Sequence, residues 1–381
     1  MTDFADHSTA PHVVVIGAGI VGASIAFHLA LRNIRLTVVD AAQPGQAATA
    51  VSFGWINSRD RQPRHYHDLG RRSLDMWYRF VQRLGGDLDP HWGGELRWTA
   101  TDAGAQTLIA RVRELQGWGY PIRQIDADDI RRLEPGLETG RVTAASYTDI
   151  EGHVDTAKVV HACLTRATQR GAELCPNTTV TALHLTRGAS GTPRIEALGT
   201  DKGDIACDLV VLAAGADTAS LTALVGIDVP QHHTFGATIL TQAIPPVLQN
   251  VAVVHTPRDL PPPQMNVRQL PDGTVMIHGG AHDASLGKTP AEVEQVLQAT
   301  QRFWPALHGV QIREVRQGRR PMPQDGQPML GFAAAVPNLY VAATHSGVSL
   351  AALIGEFAAI EILDGVRIDL LEPYRIERFT R

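Results

Sequence analysis

Gly17-Ala18-Gly19-Ile20-Val21-Gly22 places three glycines at the spacing G-x-G-x-x-G. That spacing permits a tight turn at Gly17, a close backbone approach at Gly19 and close helix–strand packing at Gly22. A helix that starts there turns unpaired N–H groups and a positive dipole end toward an anion such as a pyrophosphate. Asp40 follows 18 residues after the third glycine. A carboxylate at that distance accepts both hydroxyls of a ribose and repels a 2′-phosphate.

Other chemistry-bearing side chains lie elsewhere in the chain. Arg61 and Arg64 flank Gln62-Pro63, and Arg319 and Arg320 precede Pro321. A planar guanidinium suits bidentate recognition of a carboxylate, although most arginines and lone histidines are solvated surface groups. The pairs His65/His67 and His232/His233 resemble metal ligands by residue type only. With no acid or cysteine at ligand spacing beside them, no metal site is expected. Cys163, Cys175 and Cys207 are an odd number without a C-x-x-C pair, so neither a disulfide framework nor a zinc knuckle is indicated. A reducing cytoplasm is the simplest setting.

These residues need elements to hold them. His12–Ile16 reads as a buried β-branched strand, Ile20–Leu31 as the helix after the glycine turn, and Arg35–Val39 as a second strand ending at Asp40. Together they form a βαβ unit for an adenine dinucleotide. Whether that is NAD or FAD is open from this unit alone. The small-residue stretch from Gly45 to Gly54 suits a backbone that wraps a bulky cofactor, or an ordinary loop equally well.

Helices are predicted over Arg71–Leu84, Leu108–Gly119 and from Asp126, and another starts at the cap Asp155/Thr156 and closes at Gly171. Strands are predicted near Thr179–Leu185, Pro193–Leu198 and Ile205–Leu212. The last ends in Ala213-Ala214-Gly215 before a helix from Thr218. Strand-like runs at Thr234–Thr241, Val251–His255, Gln264–Gln269 and Thr274–His278, with turns such as Pro271-Asp272-Gly273, predict an antiparallel sheet in a second domain. Pro290–Phe303 reads as a helix, Leu339–Ala343 as a buried strand and Val348–Leu363 as a helix with an apolar face.

The 381 residues predict two or three domains. A hydrophobic share of 44% and a charged share of 19% fit a packed core and exclude a disordered chain. The 35 glycines and 23 prolines exceed the average share of about 12%, which fits tight turns and close approaches. A net charge of −5 gives no general pull toward nucleic acid or an anionic membrane. The apolar run Val13–Leu31 follows an N-terminus with no Lys or Arg and holds the spaced glycines, so neither a signal peptide nor a membrane anchor is expected. No internal repeat or low-complexity linker occurs, so the domains are expected to interleave.

Gly318 to Gly331, and then Asn338 to Glu356, complete a set of four ordered blocks. The others are the glycine fingerprint, Gly152-His-Val-Asp155, and the strand ending Ala213-Ala-Gly215. In this order and across nearly the whole chain, the sequence resembles the flavoprotein superfamily of D-amino-acid oxidase, glycine oxidase and sarcosine oxidase. The resemblance implies an α/β fold: a Rossmann-like FAD-binding domain interleaved with an antiparallel-sheet substrate domain roofing the flavin. The expected segments are 1–90, 150–228 and 318–381 for FAD, and 91–149 and 229–317 for substrate.

The resemblance also implies site residues. FAD is expected against Gly17, Ala18, Gly19, Ile20, Val21, Gly22, Asp40, Ala41, Ala47, Ala48, Ser52, Phe53, Gly54, Arg61, Val180, Ala214, Gly215 and Arg320. At the C-terminal turn the expected contacts are Thr344, His345, Ser346, Gly347, Val348 and Ser349. There a helix N-terminus faces the pyrimidine side of the flavin, where negative charge develops on reduction. Many relatives have Gly-His where this chain has Thr344-His345. Arg320 matches the arginine that holds a substrate carboxylate, with Arg319 as the alternative. Arg61 and Arg64 resemble an arginine pair near flavin and substrate, and His282 an active-site histidine. The cysteinyl flavin linkage of sarcosine oxidases is excluded because no cysteine follows Cys207. Non-covalent FAD is expected, with a histidyl linkage near the N-terminal loop left open.

The reaction so implied is oxidation of the C–N bond of an amino acid or N-alkyl amino acid by hydride transfer to flavin N5. Oxygen or an electron carrier would reoxidise the flavin. Two alternatives remain at this stage: an FAD-dependent 2-hydroxy acid dehydrogenase with His282 or His345 as base, and a flavoprotein subunit of a hetero-oligomeric dehydrogenase. The pocket wall is expected from Phe235, Met265, Val267 and Met276 with Trp55 and Trp92.

Overall fold

The computed structural model describes residues 10–187, 191–259, 264–279 and 289–379. The strand His12–Ile16 is buried along its whole length. It pairs in parallel with Arg35–Val39 on one side and Leu209–Leu212 on the other. Outward from these lie Glu173–Cys175 at one end and Val336–Ala343 then Met329–Ala333 at the other. Only Met329–Ala333 runs antiparallel to its neighbour. The chain leaves the first strand in one direction and later returns on its other side. Such a switch point opens a crevice at the carboxyl ends of the strands.

Two helices, Ile20–Ala30 and Gly347–Asp364, start at that crevice and pack on each other. A Cβ on Gly355 would meet Ser24 Oγ at 2.1 Å, so glycine is required for the crossing. The Ser24 hydroxyl donates to the Ala351 carbonyl at 2.7 Å. A third helix, Arg64–Leu84, packs on the C-terminal one: Ser73 Oγ and Trp77 Nε1 both donate to the Ser349 carbonyl. It begins seven residues before the predicted start. Its buried stripe runs through Tyr66, Leu69, Gly70, Ser73, Leu74 and Trp77.

The second sheet has the order Ile312–Pro323, Gln231–Ala243, Thr274–Gly279, Met265–Gln269, Val253–His255, Glu95–Thr99, Ala144–Thr148, Ile122–Ile125. All its pairings are antiparallel except Val253–His255 with Glu95–Thr99. One face packs on Trp98, Met265, Val267, Ile277, Val296 and Trp304. The other roofs the crevice.

The predicted strand Ile205–Leu212 is two strands in different sheets, Gly203–Ala206 and Leu209–Leu212. The Cys207 N–H donates to Glu196 O and the next N–H, of Asp208, to His12 O. Adjacent residues thus commit to different sheets. The strand Ile312–Pro323 was not foreseen, and it runs across residue 318. It belongs to the eight-stranded sheet described above.

Candidate active site

The glycine turn has the shape its spacing requires. Gly17 holds φ +104°, and a Cβ there would lie 2.4 Å from the Ala213 carbonyl oxygen. A Cβ on Gly22 would lie 1.9 Å from the Gly17 carbonyl oxygen. Gly19 caps the helix without a side chain. Thr49, from the short helix Ala48–Val51, accepts the Ile20 N–H at 3.1 Å. The small-residue stretch therefore folds back over the first helix. Asp40 accepts the Ala18 N–H at 2.6 Å and the Ala42 N–H at 2.8 Å, joining the glycine turn to the loop after the second strand. Thr178 N–H donates to the Asp40 carbonyl at 2.8 Å, which brings Val180 to the same end of the sheet. Ala41 and Ala47 lie at the surface beside it.

A cavity of about 490 Å³ starts at Gly19, Ile20 and Val21, passes Ala48, Ser52, Phe53 and Gly215, and reaches Thr344–Ser349 beneath Arg320. Two helix N-termini, at Ile20 and Gly347, open onto it. Thr344 is buried, and its hydroxyl accepts the Ser346 N–H at 3.1 Å. Ser349 Oγ donates to the Trp55 carbonyl at 3.1 Å and lies 3.2 Å from the Asn57 N–H, tying this turn to the segment that carries Arg61.

Arg320 lies on the roof and lines the cavity. Gly236 on the neighbouring strand makes room for it, since a Cβ there would be 2.9 Å from Arg320 Nε. Nη2 donates to the Phe235 carbonyl at 3.2 Å, and Nε is buried without a partner. Among the described residues no carboxylate pairs with it. Arg319, one residue earlier on the same strand, points the other way and forms two bonds with Asp217 at 2.9 and 3.0 Å. Arg61 is buried over the Tyr66 ring at 5.4 Å, donates to Asn57, and also keeps an unpartnered Nε. Arg64 stands at the exposed start of its helix, 3.7 Å from Asp68, and does not line the cavity. The first-turn position faces it into solvent. His282 lies outside the described residues.

His345 lines the cavity, and burial together with Arg320 and Arg61 pushes its pKa down to about 4. His278, which the sequence did not single out, faces it from the roof. Burial and the same arginine push it to about 4 as well. Both imidazoles are neutral at pH 7. Asn57, Asp60, Tyr66 and Asn266 also line the cavity without having been foreseen. Of the expected wall, Trp55 lines it, whereas Trp92 stacks on Tyr78 at 4.4 Å. Met265 and Val267 belong to the core on the far side of the roof. Strand alternation presents Asn266 to the cavity and its two neighbours to the other face. Met276 shares the face of His278 but packs on Phe53 and Leu240.

The set fits an adenine dinucleotide. The Gly17 and Gly22 positions leave no space for a Cβ, and the buried guanidinium Nε of Arg61 lacks a partner inside the protein. None of the three cysteines lines the cavity. His65 bonds Tyr374 at 3.0 Å and His67 is buried against Ser58, both away from it. No helix among the described residues is long and apolar enough to cross a membrane. No group of three acids, histidines or cysteines among them could hold a metal ion.

Residues 12–359 match the model of the DAO family, FAD dependent oxidoreductase. The chain is 26% identical over 380 residues to one subunit of the opine oxidase of Agrobacterium tumefaciens (strain Ach5), covering 96% of this chain and 97% of that one. It is 24% identical over 376 residues to a glycine oxidase of Bacillus licheniformis, covering 96% of each. Its fold is similar to the L-proline dehydrogenase from P. horikoshii, with a TM-score of 0.84, 24% identity and 98% of each chain covered. The chain belongs to the DAO family, and it is an FAD-dependent oxidoreductase.

Proposed function

We propose that this chain oxidises the C–N bond of an amino acid or N-alkyl amino acid whose carboxylate is clamped by Arg320. The observation that carries the reading is the guanidinium itself. It is half-buried, faces the cavity, has an unpartnered Nε, and among the described residues has no carboxylate of the protein beside it. A buried cation without a partner is costly, and an incoming carboxylate relieves that cost. Bound FAD, held non-covalently by the glycine turn and the two helix N-termini, supplies the hydride acceptor.

The protein's own groups position and desolvate the substrate. Arg320 fixes one end, while Trp55, Tyr66 and Phe53 exclude water around the reacting carbon. His278 and His345 line the cavity, and their pKa values are lowered, so that as neutral imidazoles they can hydrogen-bond a neutral amine. Similarity to the opine oxidase polypeptide over 97% of its length supports a second reading, in which this chain is the flavoprotein subunit of a larger dehydrogenase. The cytoplasm is the proposed setting.

The test is an anaerobic absorbance scan of the FAD-loaded protein against D-, L- and N-methyl amino acids and 2-hydroxy acids. Bleaching of the flavin band by an amino compound is expected. Bleaching by hydroxy acids alone would replace the reading, and readmitted oxygen separates an oxidase from a dehydrogenase. A flavin that none of these compounds bleaches favours the subunit reading.

A further inference from the structure

Among the described residues five arginines are buried: Arg59, Arg61, Arg97, Arg268 and Arg375. Three have a carboxylate beside them, Arg59 on Glu95 at 2.7 Å, Arg97 on Asp60 at 2.6 Å and Arg375 on Glu361 at 2.5 Å. Arg61 lines the cavity. Arg268 has neither a carboxylate among the described residues nor a place on the cavity surface. A cation held out of water without a partner is costly, and an uncharged side chain of similar volume would fill the same space at less cost.

Arg268 stands on the strand Met265–Gln269, two residues beyond Asn266 and therefore on the cavity side of the roof. Its cross-strand partner is Met276, whose Sδ is 3.0 Å from Nη2. Nη1 donates to His153 Nδ1 at 2.7 Å and to the Val154 carbonyl at 3.3 Å, and Nε has no partner. His153 is buried, and burial with Arg268 beside it holds its pKa well below the ordinary value. Its imidazole is therefore neutral and accepts through Nδ1. Every partner of the guanidinium is thus an uncharged acceptor. Asp155 acts on it from beyond ion-pair distance, with its carboxylate engaged by the N–H groups of Ala157 and Lys158. Burial lowers Arg268 only to about 9, so the charge is present at pH 7.

That charge is set against the cavity wall. Arg268 Cζ lies 5.3 Å from the centre of the Phe53 ring, and Phe53 lines the cavity. The next residue, Gly54, holds φ +75°, and a Cβ there would be 2.4 Å from the Val154 carbonyl oxygen and 3.1 Å from Arg268 Nη2. Glycine at this position lets the guanidinium seat directly on the wall segment. The cation therefore stands one aromatic ring behind the cavity, on the roof face that also carries Asn266 and His278.

We infer that Arg268 is a positioning residue that acts on the bound flavin through Phe53: its fixed cation favours the reduced, more negatively charged form and so raises the reduction potential. A charge fixed in a dry wall before electrons arrive needs no reorganisation when they do. The inference rests on the FAD dependence and not on the amine-oxidation reading, because a potential is read without any substrate.

The test is a redox titration of the flavin, against an indicator dye, in the FAD-loaded parent and in Arg268→Met, Arg268→Gln and Arg268→Lys, with thermal unfolding alongside. Met and Gln remove the charge, and Lys keeps it while losing the paired bonds to His153 and Val154. In both neutral variants the ratio of reduced to oxidised flavin at a given potential is expected to fall about tenfold, the order of effect of one buried charge across a ring. For a two-electron couple that is about 30 mV. The Lys variant is expected to stay within about twofold of the parent ratio even as its Tm falls. The shift should be alike at low and high salt, since a buried charge is little screened.

A role confined to packing lowers Tm in all three variants and moves no potential. Unchanged or raised potentials in the neutral variants, a fall in Lys as large as in Met, or equal loss of flavin from all three would overturn the inference. Loss of flavin from Met and Gln, with a parental potential in Lys, would uphold it through the charge that only Lys retains. Unshifted potentials in a protein that oxidises amines would refute the role of Arg268 and leave the reaction standing. Shifted potentials in a protein that oxidises none would do the reverse.

Discussion

The nucleotide sheet and the roof sheet enclose one cavity, yet they constrain their residues by different physics. In the nucleotide sheet the decisive contacts are between backbone atoms. A Cβ at Gly17 or Gly22 has no space, and the required residue type can be named from spacing alone. In the roof the decisive contacts are cross-strand. Arg97, His255, Asn266, His278 and Arg320 are scattered over more than half the chain, and only register brings them to one face. Geometry written in the backbone is local in sequence, and geometry written by strand register is not.

The largest effect is expected where the backbone is tightest. Gly22→Val places a side chain where a Cβ alone would be 1.9 Å from the Gly17 carbonyl oxygen. It should cost more than about 3 kcal/mol and abolish FAD retention. Thermal unfolding and the ratio of protein to flavin absorbance measure both. A Gly22→Val protein that purified with flavin would remove the basis of the contrast.

Next comes the roof arginine. Arg320→Gln should lower kcat/KM for the amine substrate about a hundredfold or more, because a desolvated carboxylate loses its charged partner. Flavin content should be unchanged, which separates substrate clamping from cofactor binding. Loss of flavin together with activity would place Arg320 with the nucleotide sheet instead.

The nucleotide unit was legible in the sequence down to single residues: the strand His12–Ile16, the glycine turn and Asp40 all stand where the pattern put them. Arg320 lines the cavity and its strand mate Arg319 does not, a difference set by alternation alone. The pocket wall was not legible. Choosing the apolar Met265 and Val267 picked the wrong side of a strand whose two faces are core and cavity, and the polar Asn266 between them was the signal. Helix Arg64–Leu84 was half legible: its second part was read, and its first turns, with Tyr66, Leu69 and Gly70 on the buried face, were not.

A smaller, pH-dependent effect sits behind the cavity wall. Glu151 is buried and accepts bonds from Trp55 Nε1 at 3.0 Å, from the N–H groups of Ser58 and Arg59 at 2.9 and 3.1 Å, and from Tyr120. It thereby pins the segment that carries Asn57, Asp60 and Arg61. Its pKa of about 8 stands above the ordinary 4.5, so between these values the folded state binds more protons than the unfolded one. Stability must therefore decline as pH rises from about 4.5 to about 8. Glu151→Gln removes that decline but loses the acceptor for Trp55 at every pH. The variant's deficit in Tm should thus shrink steadily from pH 5 to pH 8, and a constant deficit would show the group ionised throughout.

The smallest effect separates two arginines three residues apart. Arg61 is buried in the cavity wall, whereas Arg64 is 63% exposed and pairs with Asp68 at 3.7 Å across one helical turn. Such an exposed pair contributes about 0.5 kcal/mol or less and is screened by salt. Arg64→Ala should therefore leave flavin content and kcat/KM within about twofold of the parent and shift stability by no more than that pair. Arg61→Ala should weaken flavin retention, since its guanidinium faces the cavity with an unpartnered Nε. A strong loss of substrate affinity in Arg64→Ala, with Arg61→Ala silent, would mean that the helix start rearranges when the cavity fills. The roof would then share control of the substrate with an element that the nucleotide sheet positions.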